Sequence, residues 1–195
     1  MSAPEVSGRA FLGLISHVRA GWGASSLAEI VASAGEPARR AFAARIRVLD
    51  WLPYDAYTGF LRSLERHLAD GDHLFLRGVG AAAGQRDLGT ILRVYVALAS
   101  PERLIRSCTK VWASYYRNAG SMDAVSWTPA QTVLRIVDFP AMDRTHCRLM
   151  EGWMISTMEH LGLHVAPGAR ETECTTRGGR YHEFRCTWSR GRPAL

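Results

Sequence analysis

The stretch ETECTTRGGRYHEFRCTW, residues 171–188, brings Cys174, His182 and Cys186 close together in the chain. Thiolates and imidazoles are the donors that zinc-class cations prefer, so a metal site, a disulfide and a plain core are the three readings to separate. A chain-local zinc site is built from C-x2-C or H-x3-H pairs. Cys174 and Cys186 stand twelve positions apart with no such pair beside them. His160 and His164 have helical spacing, but Gly162 between them ends the helix that would align them. The expectation is therefore no metal, with both cysteines reduced and packed as small core residues. Cys108 and Cys147 fall on apolar helix stripes, and His146 diverges from its neighbour Cys147 around a helix. There is no G-x-S-x-G elbow and no spaced pair of carboxylates, so no catalytic residue is assigned and no enzyme is expected.

A second cluster is KVWASYYRNAG, which carries Trp112, Tyr115, Tyr116 and Arg117. Trp127, Arg135 and Trp153 are expected to approach it where a sheet meets the helices. Aromatic rings with arginines suit a flat or anionic ligand, and these seven residues are the candidate binding set. Gly78, Gly80 and Gly84 imitate a dinucleotide loop, but their spacing is G-x-G-x-x-x-G and no strand–helix alternation surrounds them. They read instead as small positions in a helix that let a neighbouring backbone approach.

Helical periodicity dominates residues 8–118. Leu12, Ile15 and Val18 mark a first helix that ends at Gly21–Gly23, and Leu27, Ile30 and Val31 mark a second that Gly35 stops. A third starts at Pro37 and carries Phe42, Ile46 and Leu49. A fourth carries Tyr57, Phe60, Leu61, Leu64 and Leu68, and Leu88–Leu98 forms a buried helix. Ser100-Pro101-Glu102 is a cap, an N1 proline and a first-turn acid, opening a helix that carries residues from Leu104 to Tyr115 on one face and that Gly120 closes. After Gly120 the period drops from 3.6 to 2. Two strands flank Thr128-Pro129-Ala130-Gln131, a helix spans about 142–161 with Gly152 at a close contact, and two strands finish the chain. This is an α+β fold in one domain, residues 1–195. A helical layer, 1–118, packs on a four-stranded antiparallel sheet in β-β-α-β-β order, 119–190.

His182, Phe184, Cys186 and Trp188 share one strand face and are assigned to the interior. A two-residue turn at Gly178-Gly179 would set Glu173 and Glu171 opposite them. A one-residue shift, setting Phe184 beside Cys174 or Thr172, is expected because unpaired buried carboxylates cost several kcal/mol, roughly.

With 47% hydrophobic and 22% charged residues, the 195-residue chain has the composition of a folded globular protein. Its formal charge is +6, nearly all from arginine, with Lys110 the single lysine. The arginines are scattered and form no basic run, so nucleic acid is not the expected partner. No apolar run approaches the roughly 20 residues of a membrane span and the N-terminus lacks a signal-peptide pattern, which points to the cytoplasm.

The segment from LRIVDFP through YHEFRCTW is similar to the C-terminal half of the superfamily of four-vinyl reductases, haem–nitric-oxide-binding domains and Bet3-like vesicle-tethering subunits. SPERLIRSCTKVWASYYRNAG and YHEFRCTW also resemble an uncharacterised family of myxobacterial proteins of about this length. The resemblance implies a non-enzymatic regulatory or sensor module that binds a small hydrophobic or anionic ligand between helices and sheet. A homodimeric protein-interaction platform is the alternative. Haem in that superfamily uses a proximal histidine and a Tyr-x-Ser-x-Arg motif. Here YYRNAG lacks the serine and nothing orients His67 or His73, so no cofactor is expected. The vinyl-reductase branch carries a cysteine cluster near the final hairpin, of which Cys174 and Cys186 would be remnants.

Overall fold

A computed structural model describes residues 2–87 and 100–190. Strand β1 (Glu5–Ser7) leads straight into α1 (Gly8–Ser33), where the Ser7 side chain accepts from the Arg9 amide at 3.3 Å. The break expected at Gly21–Gly23 is a kink inside α1, with Gly23 at φ 85°. α2 (Glu36–Ala43) is shorter than its apolar spacing suggests. The chain leaves the helix at an extended Ala44 and turns at Arg47–Asp50 into β2 (Trp51–Pro53), and Leu49, assigned to the inner face of this helix, is 84% exposed. α3 (Tyr54–Leu68) buries Tyr57, Phe60, Leu61 and Leu64 as its spacing requires. α4 (Phe75–Asp87) contains the three glycines of the false dinucleotide loop. The helix assigned to Leu88–Leu98 lies outside the described residues.

Beyond it, the Arg103 amide donates to Ser100 Oγ at 3.3 Å and opens α5 (Pro101–Arg106). The single helix expected here is two, because Ser107 is non-helical and α6 (Cys108–Tyr115) starts afresh. α6 turns Cys108, Trp112 and Tyr115 inward and passes into β3 (Tyr116–Arg117). β3 and β2 pair with the two edges of β1 as a small antiparallel sheet. Elements two or three residues long carry no readable period, and this sheet was not legible in the sequence.

The second half follows the expected order: β4 (Ser121–Thr128), β5 (Gln131–Val137), α7 (Arg144–His160), β6 (Leu163–Glu173) and β7 (His182–Arg190). The four strands form an antiparallel sheet in the order β4-β5-β7-β6. Leu134, Ile136, Phe184, Cys186 and Trp188 on its inner face are buried in one apolar core with the helices. No helix among the described residues is long and apolar enough to cross a membrane.

The register of the last hairpin corrects the expectation. Phe184 lies opposite Glu171, not Cys174 or Thr172, and a bulge between Glu171 and Glu173 sets Glu173 opposite Glu183. The connection is not a short Gly-Gly turn. A 3-10 turn at Thr175–Arg177 precedes Gly178 at φ 86°, and the Gly179 amide donates back to the Cys174 carbonyl at 2.9 Å. A carboxylate thus enters the interior after all, and it does so in company that offsets the cost.

α4 and α7 meet backbone to backbone at two glycines. A Cβ at Gly80 would overlap the Leu149 carbonyl oxygen, and one at Gly152 would overlap the Arg77 carbonyl oxygen. Gly152→Ala should therefore lower stability by about 3 kcal/mol in urea denaturation, since backbone on a packed helix cannot step aside. Gly13→Ala, a helical site with nothing within 4 Å of the added carbon, should be neutral or stabilise by up to about 1 kcal/mol.

Candidate functional site

Four donors from separate elements converge beneath the last hairpin. Cys147 comes from the first turns of α7, Glu171 from β6, Cys174 from the start of the 3-10 turn and His182 from the start of β7. One ligand atom from each lies within 4.8 Å of every other. Cys147 Sγ is 3.3 Å from His182 Nδ1, and that nitrogen is 3.3 Å from Glu171 Oε1. Tetrahedral coordination at bond lengths of about 2.0–2.3 Å sets neighbouring ligands roughly 3.3–3.8 Å apart, so only small adjustments separate this cluster from a closed tetrahedron. The Cys147, Cys174 and His182 residues are almost fully buried, and the Glu171 side chain is 7% exposed.

The turn that follows Cys174 supplies supporting contacts. The Thr175 hydroxyl sits 2.8 Å from His182 Nε2 and, by accepting a hydrogen bond from that nitrogen, would leave Nδ1 its lone pair when a cation takes the place of its contact with Glu171. The Thr176 hydroxyl is 3.0 Å from Cys174 Sγ. Arg177 pairs with Glu171 Oε2 at 3.2 Å. The Glu171 amide is held by Glu151 Oε1 at 2.7 Å, which ties β6 to α7.

Electrostatics separate the members. Burial pushes the Cys147 thiol far up, and the neighbouring Glu171 charge adds to it. Burial also raises the Glu171 carboxyl. Hydrogen bonds from His182, Cys147 and Cys174, with the Arg177 charge, outweigh that and hold it below its ordinary value. A protonated thiol beside an ionised carboxylate is a set that a divalent cation would convert by displacing the thiol proton. Cys186, which the sequence reading grouped with Cys174, is elsewhere. Its sulfur lies 4.0 Å from Met154 Sδ, and burial raises its thiol to about 12. Both cysteines are buried in the core as expected, and Cys174 also lies beside three other donors.

Of the seven aromatic and arginine candidates, the structure brings four together. Trp112, Tyr115, Tyr116 and Trp153 line an apolar cavity of about 30 Å³ between α1, α6 and α7. Trp153 also lines a second one, of about 40 Å³, toward the sheet. The other three are placed apart. Arg117 stacks at 3.8 Å on Trp51. Arg135 pairs with Glu183 at 2.7 Å and covers Tyr181, while Trp127 packs on Trp188.

Next to the four lies a network that spacing could not show. The Asp143 amide donates to Tyr54 Oη at 3.2 Å, Tyr54 Oη is 2.8 Å from His146 Nδ1, and Tyr116 Oη is 2.7 Å from His146 Nε2. This pattern assigns the Tyr54 proton to Nδ1 and the ring proton to Nε2. Burial, with the adjacent His182, holds His146 down to about 3, so the imidazole is neutral. His146 and Cys147 face opposite ways, as adjacent helical positions must.

Sequence reasoning missed Glu171 and the Cys147–Cys174 pairing. The donors are dispersed over a helix and a hairpin, and no local spacing reports that. One signal was present: a carboxylate that the strand pattern pushes inward requires a partner, and the inward face already held His182.

No protein-family model matches the chain, and no curated protein does. Solved structures are similar to it in fold. An H-NOX protein from S. oneidensis in the Fe(II) ligation state has a TM-score of 0.74 at 12% identity, over 97% of this chain and 99% of that one. An Fe(II) unliganded H-NOX protein from K. algicida has a TM-score of 0.68 at 11% identity, over 97% and 99%. An oxygen-binding H-NOX domain related to soluble guanylate cyclases has a TM-score of 0.66 at 13% identity, over 94% and 95%. The chain therefore has the H-NOX fold; the comparisons give no support to the myxobacterial, vinyl-reductase or Bet3-like likeness.

Haem does not fit the helix–sheet junction formed by the described residues. It needs a pocket of at least about 300 Å³, whereas the two cavities there hold about 30 and 40 Å³. Both nitrogens of His146 are taken by tyrosines. His67 bonds the Ser63 carbonyl at 2.9 Å on α3, and His73 is exposed.

Two outcomes test the buried network. The unfolded chain takes up a proton at His146 near pH 6.5, and the folded chain does so only near 3, so stability falls as pH drops through that window. Chemical denaturation should show His146 contributing a loss of up to about 1.4 kcal/mol per pH unit between 6 and 4. Tyr116→Phe strands the His146 N–H and should cost about 1–3 kcal/mol at pH 7.

Proposed function

We propose that the protein is a non-enzymatic regulatory module of the H-NOX fold whose ligand is a divalent, thiophilic cation of the zinc class. Cys147, Glu171, Cys174 and His182 hold it. The observation that carries this reading is the convergence of their four donor atoms within 4.8 Å inside the protein. Two thiolates and an imidazole favour zinc-class cations over magnesium or calcium, which prefer all-oxygen shells. The supporting hydroxyls of Thr175 and Thr176 are what an ordered inner shell requires. The cation would join α7 to the β6–β7 hairpin, so its gain or loss acts on the contact between helix and sheet.

A second reading concerns the cavities on either side of Trp153. At about 30 and 40 Å³ and apolar, they suit a dissolved gas or another molecule of a few atoms. This is the form in which the ligand site expected at Trp112, Tyr115, Tyr116 and Trp153 is carried forward.

The metal reading is tested by calorimetry and native mass spectrometry of the full chain with Zn²⁺. One ion per chain is expected, with affinity reduced at least 100-fold in Cys147→Ala and Cys174→Ala. Cys186→Ala, which removes a sulfur outside the cluster, should bind as the parent does. Zinc uptake that is absent, or equally sensitive to Cys186→Ala, overturns the proposal.

A further inference from the structure

The four donors of the metal centre are not equivalent. His182 is steadied by Thr175 and Cys174 by Thr176, through hydroxyls on the same turn. Glu171 is steadied by Arg177, a cation that competes for the same carboxylate. Glu171 is also the one oxygen donor in a set of sulfur and nitrogen, and thus the poorest match for a thiophilic ion. It lies nearest solvent as well: Arg177, which covers it, is 57% exposed, whereas the His182 side chain is 1% exposed.

From this asymmetry we propose that Glu171 is an exchangeable ligand. A small soft anion, of the hydrosulfide or thiolate class, enters the coordination sphere at its position while Glu171 withdraws onto Arg177. The inference rests on the metal reading given above. The exchange is a substitution without redox change: the bond from the cation to Glu171 Oε1 breaks, a bond from the cation to the incoming anion forms, and Glu171 keeps its charge. Arg177 serves both states. It already holds Oε2 at 3.2 Å, so the released carboxylate stays paired, and its guanidinium stands beside the entering charge. Centres that react with small molecules keep one position open or labile, whereas purely structural ones are closed by four firm ligands.

The test uses the full chain loaded with Co²⁺, whose visible d–d bands report the ligand set, titrated with thiocyanate as the soft anionic probe. The bands should shift saturably. Glu171→Gln, which removes the competing charge, should bind thiocyanate about tenfold more tightly, and Arg177→Ala at least tenfold more weakly. Arg177 is a surface side chain, so its variant separates this effect from loss of the fold. Thiolate–cobalt bands that thiocyanate does not move, or an Arg177→Ala chain that binds it like the parent, overturn the exchange while leaving the metal centre intact. Failure of Co²⁺ to produce thiolate bands at all overturns the metal reading and the exchange with it.

Discussion

Helix α7 is bound on two sides, and the organisation of the molecule depends on that. On one side its backbone touches α4 through Gly80 and Gly152, where no Cβ fits. On the other it carries the apolar residues that meet the sheet, among them Met150, Met154 and Met158. Such a helix cannot rotate without driving a carbonyl into a neighbour, so the side chains on its first turns point in fixed directions. His146 is thereby committed to the tyrosines of the helical layer, and Cys147 to the hairpin. Two adjacent residues serve two different sites because the seam beside them allows a single orientation.

What the sequence revealed follows from how each feature is encoded. Strands β4 to β7 and helix α7 were readable because a period of 2 and a period of 3.6 persist over seven or more residues. Gly152 announced a close contact because glycine inside a helix needs a reason. The strands around Val6, Leu52 and Tyr116 were invisible because they pair residues from three distant parts of the chain. The convergence of Cys147, Glu171, Cys174 and His182 was hidden for the same reason. Glu171 was treated as a charge to be kept out of the core, a sound rule for an unpaired group. It fails here because His182 and Arg177 meet the carboxylate once the hairpin closes.

The likeness to H-NOX structures extends over nearly the whole chain at 12% identity, which is a likeness of backbone path and not of site. The junction of helices and sheet is occupied here by rings. Trp112 stacks on Tyr116 with centroids 4.1 Å apart, and Tyr54 lies 4.8 Å from Phe139. Aromatic side chains fill volume efficiently, and the Tyr54 and Tyr116 hydroxyls there are bonded to a neutral histidine. Among the described residues, thiol, imidazole and carboxylate groups converge instead at the base of the hairpin.

The distance along the chain between Cys147 and His182, 35 positions, has a thermodynamic side. An ion bridging them acts as a cross-link on the unfolded polymer, and closing a loop of that span removes about 4 kcal/mol of its conformational freedom. Such a clasp would lie near the C-terminal end of the described chain and would set how readily the outer hairpin peels away from the rest, independently of any contact it made in the native state.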